Sequence, residues 1–128
     1  MPNKIRYLFY IYIAFLLLIA ILPINGTSSP INDIFIVQLR LDYLLHGLVF
    51  IPWMGLSGWT FREKASGTRT ILFLSLLFIG ILYACCCELI QMPLTYRTFN
   101  INDLLANVSG VVLGAPGFWL GGRTNRSW

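Results

Sequence analysis

The side chains best suited to chemistry in this chain are few, and they come in pairs. Asp42 is followed four residues on by His46, Glu88 three residues on by Gln91, and Asp103 four residues on by Asn107. Spacings of three and four put the members of each pair on one helix face, a turn apart. Carboxylates beside an imidazole can shuttle protons as general acid and base, and amides can orient a sugar or a headgroup. Arg40 precedes the first pair, and Arg97 and Asn102 precede the third. Guanidinium groups suit phosphate. Plainer roles exist for each residue. Asp42 and Asp103 could cap helix N-termini, His46 could simply pair with Asp42, and Asn107 could join two helices. Glu88 resists such a reading, because it caps nothing and follows an uncharged run from Thr70 to Cys87.

The elements that must carry these residues follow from composition. Of 128 residues, 57% are hydrophobic and 11% charged, against roughly 45–50% and about 25% in a soluble domain. Five acids and nine bases cannot clothe a water-soluble surface, which excludes a soluble enzyme, a disordered tail and an ordinary nucleic-acid-binding domain. The expected class is all-α: one integral membrane domain over residues 1–128, built as a four-helix transmembrane bundle. A hydrocarbon core about 30 Å thick needs about 20 helical residues. Four stretches qualify, at about 5–24, 41–61, 70–92 and 103–121. Lys4 and Arg6 before the first run resemble a secretory signal. That run is long, however, and Leu22-Pro23-Ile24-Asn25 offers no small-residue cleavage site, so it is expected to stay as a span.

Seven of the nine bases then fall on one side: Lys4 and Arg6, Arg62, Lys64 and Arg69, Arg123 and Arg126. The positive-inside rule makes both termini and the middle loop cytoplasmic, with Arg40 and Arg97 outside. Trp59 and Trp119 fit an interfacial aromatic belt at the inner ends. In the first outer connection, Ile31, Ile34, Phe35 and Leu39 recur at helical spacing and suggest a short surface helix.

On this topology spans two and four start outside and span three ends outside. Asp42, His46, Glu88, Gln91, Asp103 and Asn107 therefore reach one depth, about a turn below the outer interface. Ionisable groups in lipid are costly, so such a convergence favours a functional site. Gly110 and Gly114 form a small-residue face for close packing, within the chain or between copies as a homo-oligomer. Pro52 and Pro116 are expected to kink spans two and four. The three adjacent cysteines make no disulfide or zinc framework; Cys85 shares the face of Glu88 and Gln91, but a thiol in apolar surroundings is inert packing. No phosphate loop, G-x-S-x-G or H-E-x-x-H occurs, no cofactor is expected, and local spacing gives no metal site. A faint echo relates Asp42-Tyr43-Leu44-Leu45-His46 to Asp103-Leu104-Leu105-Ala106-Asn107, as duplicated helix hairpins would.

The ordered set Leu41-Asp42-Tyr43-Leu44-Leu45-His46, Glu88-Leu89-Ile90-Gln91 and Arg97 through Asn107, with Gly110 and Gly114, resembles the VanZ-like family of bacterial membrane proteins. The resemblance covers about residues 41–121. It implies a small multispan helical bundle in the bacterial cytoplasmic (inner) membrane and a tie to the cell envelope, since the founding member is associated with low-level resistance to teicoplanin. The family's polar positions fall on Asp42, His46, Glu88, Gln91, Arg97, Asp103 and Asn107. Two departures stand out: Tyr43 where the family often has lysine, and Asn100 where it often has an acid.

The leading expectation is a binding site for a membrane lipid or lipid-linked envelope glycan, formed by Arg40, Asp42, His46, Glu88, Gln91, Arg97, Asn102, Asp103 and Asn107. A second expectation makes the site catalytic, with Glu88 or Asp103 as acid or base and His46, oriented by Asp42, as partner. A homodimeric transporter and a purely structural role are the remaining alternatives; nucleic acid is not an expected partner.

Overall fold

In lipid a chain must satisfy its own backbone, which leaves helices as the solution for long apolar runs. The computed structural model describes residues 2–22, 35–36, 39–62, 66–95 and 98–121, and it is built almost wholly from them. In chain order the elements are α1 (Pro2–Ile21), β1 (Phe35–Ile36), β2 (Leu39–Arg40), α2 (Leu41–Phe50), α3 (Pro52–Thr60), α4 (Ser66–Leu89), α5 (Ile101–Leu113) and α6 (Ala115–Gly121).

Contacts between them set an alternating course. Tyr12 on α1 donates to the Val49 carbonyl at 2.6 Å, and Phe9 meets Trp53 and Phe61 edge-on. So α1 runs antiparallel to α2 and α3. The Trp53 indole donates to Leu76 O at 3.0 Å, and Tyr83 on α4 donates to Ile13 O at 2.7 Å. Thus α4 follows the direction of α1, and α5 and α6 return beside α2 and α3. Trp53, stacked on Tyr83 with centroids 5.5 Å apart, sits with Met54 and Val111 at the buried centre. Near the opposite end from Asp42, Arg69 donates to Phe118 O at 3.2 Å and lies 5.3 Å from the Phe118 ring and 5.7 Å from the Trp119 ring.

Among the described residues three helices are long and apolar enough to cross a membrane: Asn3–Ile21, Gly67–Leu89 and Ile101–Gly121, the last joining α5 and α6. The expectation of four continuous spans needs correction at the second. Its residues form two helices of ten and nine residues that part at Ile51. The cause is Pro52, whose ring nitrogen cannot donate; Ile51 itself keeps helical angles of −55° and −43°. A similar interruption at Gly114, two residues before Pro116, separates α5 from α6. The expected surface helix near residue 35 is also corrected, since Phe35–Ile36 pairs antiparallel with Leu39–Arg40. Ile31 and Ile34 lie outside the described residues, as do Lys64, Arg123 and Arg126.

Large apolar side chains face outward around the bundle, including Ile71, Phe78, Leu113 and Leu120, each more than 60% exposed. A surface this apolar suits lipid. Inside, α2 and α5 approach through glycine. A methyl at Gly110 would strike the Gly47 carbonyl, and one at Gly114 the Ile51 carbonyl. The close packing these glycines permit is therefore made within one chain. Replacing Gly110 by Leu should lower stability by about 1–3 kcal/mol through overpacking. Gly67→Ala, with nothing within 4 Å of the new methyl, should leave stability unchanged or raise it by up to about 1 kcal/mol. Thermal unfolding in detergent measures both.

Candidate functional site

Three helix ends meet at one end of the bundle, and each brings a carboxylate. Asp42 is the second residue of α2, Glu88 the penultimate residue of α4 and Asp103 the third residue of α5. All three are buried, along with His46, Gln91 and Asn107; Glu88 is wholly inaccessible and His46, the most exposed of the six, shows 8% of its surface.

Helix periodicity supplies the local geometry and packing the rest. One turn below Asp42 and Asp103, His46 and Asn107 point at each other across the glycine seam of α2 and α5. Asn107 Nδ2 donates to Glu88 Oε1 at 3.0 Å. Its Oδ1 lies 3.2 Å from His46 Nδ1. Because the amide nitrogen is committed to the carboxylate, the amide oxygen must accept, and His46 Nδ1 must carry the proton. The opposite ring nitrogen, Nε2, faces two carboxylates, at 3.6 Å from Asp42 Oδ1 and 3.9 Å from Asp103 Oδ2. Glu88 Oε1 also lies 3.9 Å from Nδ1. Three acids thus surround one imidazole, and an amide joins that imidazole to the third of them.

Gln91 is buried beside this group and shares with His46, Glu88 and Asn107 the wall of a cavity of about 20 Å³. The cavity is roomy enough for one water. Cys87 lines it as well, whereas Cys85, expected on that face, is only half-buried. Asn102 is not in the buried group. It is exposed and donates to the Tyr43 hydroxyl at 3.4 Å. Arg40 ends β2, directly before α2, and Arg97 lies outside the described residues.

Two participants escaped the sequence reading. Asn100, noted there only as a departure, caps α5: its side chain accepts from Asn102 N at 3.0 Å. Asp103 is thereby released from capping and turns inward. The signal was present, since asparagine directly before an apolar-periodic run is a strong N-cap. Tyr43, the other departure, lines an apolar groove of about 550 Å³ along α2 and α5, with Asn102 at the same end and Leu48, Ile51, Leu105 and Leu113 further along.

The model of the family described as VanZ/LLP1 matches residues 7–121. The chain belongs to that family. The match begins within α1 and runs to the end of α6, so it takes in every helix of the bundle. VanZ/LLP1 membership and the apolar helices together fit a membrane protein. No curated protein and no solved structure matches the chain.

The Asn107 amide is satisfied on both sides in a buried setting. Its removal leaves a buried carboxylate oxygen and a buried ring N–H without that partner. Asn107→Ala should therefore cost about 1–3 kcal/mol, while Ser109→Ala, an exposed hydroxyl bonded only to Leu105 O of its own helix, should stay within about 0.5 kcal/mol. Chemical or thermal unfolding of the two variants checks the contrast.

Proposed function

We propose that this VanZ/LLP1 member recognises an envelope lipid or lipid-linked glycan at a polar site facing the outside of the bacterial cytoplasmic membrane. In this reading α2 and α3 together make a fourth crossing, and both termini and the connection between α3 and α4 are cytoplasmic. The bases support it: Lys4, Arg6, Arg62 and Arg69 stand at the end of the bundle opposite the buried acids.

The observation that carries the proposal is the pairing of two features at one end of the same two helices. A buried acid, imidazole and amide cluster lies against the α2–α5 seam, and the apolar groove runs along that seam. Tyr43 and Asn102, at the end of the groove, each adjoin a cluster member in sequence, Asp42 and Asp103. A ligand with a polar head and a long hydrocarbon chain matches that layout. Arg40 and Arg97 supply positive charge a few residues away for a phosphate. Resistance to a glycopeptide antibiotic would follow if such a lipid is a cell-wall carrier or precursor.

A second reading, hydrolysis or transfer on the same lipid, is favoured by the water-sized cavity beside His46 and Glu88. Water would be the nucleophile, with a carboxylate or His46 taking its proton.

Native mass spectrometry of the detergent-purified protein with undecaprenyl phosphate, undecaprenyl pyrophosphate and lipid-linked cell-wall precursor tests both. Selective adducts are expected for the unaltered chain. They should weaken at least tenfold in Glu88→Gln and in Leu105→Trp, which fills the groove, when both variants melt like the parent. A change in lipid mass would promote hydrolysis or transfer over binding. Equal adducts in all three proteins, or none that are selective, would overturn the lipid reading.

A further inference from the structure

The hydrogen-bond chain through Asn107 has a chemical consequence at the other side of the His46 ring. With the proton on Nδ1, a neutral imidazole presents the lone pair of Nε2 to Asp42 and Asp103. Nε2 is buried and makes no hydrogen bond. A lone pair aimed at carboxylate oxygens is repulsive unless a proton or a metal cation lies between them. A proton, carried by Nε2 or by a carboxyl oxygen, would form a short hydrogen bond there. The distances argue against it: 3.6 and 3.9 Å exceed the roughly 2.7–2.9 Å of a charge-assisted N–H···O bond.

They suit a larger cation. Donors bound to one first-row divalent ion at about 2.0–2.2 Å stand about 3.0–3.5 Å apart. One ligand atom from each of Asp42, His46 and Asp103 lies within 4.8 Å of the others. Side-chain rotations that draw the two carboxylates inward, by up to about 1–1.5 Å across the widest pair, close the set. The support around it is also of the right kind. A metal-binding imidazole characteristically donates its other N–H to an oxygen that fixes ring and tautomer. Here that oxygen is Oδ1 of Asn107, whose Nδ2 in turn donates to Glu88.

We propose that Asp42, His46 and Asp103 bind one divalent cation of the Zn²⁺ or Mn²⁺ class, with Asn107 and Glu88 as positioning residues. One nitrogen and two carboxylate oxygens suit these ions. Three protein ligands leave at least one coordination position for an outside oxygen, such as water or a phosphate. The ligands come from two helices far apart in sequence, Asp42 and His46 on α2 and Asp103 on α5, which is why sequence spacing offered no metal motif. The cation site needs no lipid, so it and the lipid reading can fail separately.

The test uses full-length protein purified without a polyhistidine tag, stripped with EDTA and then titrated with Zn²⁺ or Mn²⁺ alone. Elemental analysis should find about one ion per chain after desalting, and the melting temperature should rise by several degrees on loading. Both signals should vanish in His46→Gln and in Asp103→Asn. Asn107→Ala should keep the stoichiometry but bind roughly 10- to 100-fold more weakly, and Gly67→Ala should bind like the parent. No saturable uptake by the unaltered chain, with no rise in melting temperature, would overturn the proposal whether or not the variants fold. Full uptake by the His46→Gln variant would overturn it equally.

Discussion

The structure turns on one amide. Asn107 spans the gap between an imidazole on α2 and a carboxylate on α4, and so ties together the three helices that carry the buried carboxylates. In a medium without water every buried polar group must find its partner in the protein. That requirement fixes how far each helix is turned about its own axis. A rotation of α5 that removed Asn107 from between His46 and Glu88 would leave both short of a partner, at a cost of about 1–3 kcal/mol for each group. Apolar packing alone sets no such preference, because lipid solvates leucine as well as leucine does.

The rest of the bundle makes that amide's position attainable. Glycines 47 and 110 let α2 and α5 come close enough for His46 and Asn107 to bond, a turn away from their carboxylates. Asn100 takes the capping duty at the start of α5 and leaves Asp103 for the interior. Further along, Trp53 is held by the Leu76 carbonyl and stacked on Tyr83, which anchors α4 against α3. The two halves follow a similar plan. Each pairs an unbroken helix with a returning one that is interrupted near a proline, and each returning helix starts with an aspartate one turn above an imidazole or an amide.

Much of this was legible in the sequence, and the reasons are physical. Depth depends only on helix rise and on alternating direction, so Asp42, Glu88 and Asp103 could be set level from spacing alone, as could their partners one turn away. Rotation about the helix axis was harder. It depends on which faces meet, and that is settled by glycines far apart in sequence. Hence Asn102, one residue from Asp103, turned out exposed, and Cys87 rather than Cys85 came to line the cavity with Glu88. The break at Ile51 follows from a missing donor at Pro52, which was anticipated as a kink; whether it ends a helix depends on packing. The pairing of Phe35–Ile36 with Leu39–Arg40 was missed because an apolar pattern over so few residues cannot separate helix from strand.

Asn107 dictates which nitrogen of His46 is protonated, and so presents the other to Asp42 and Asp103. His46 is the single histidine of the chain, so side-chain ¹⁵N labelling of histidine gives one pair of ring resonances without ambiguity. The Nδ1–H tautomer is expected in the folded protein, with a hydrogen-bonded Nδ1 proton that disappears in Asn107→Ala. An Nε2–H tautomer, or a ring exchanging between tautomers as in an exposed histidine, would contradict it.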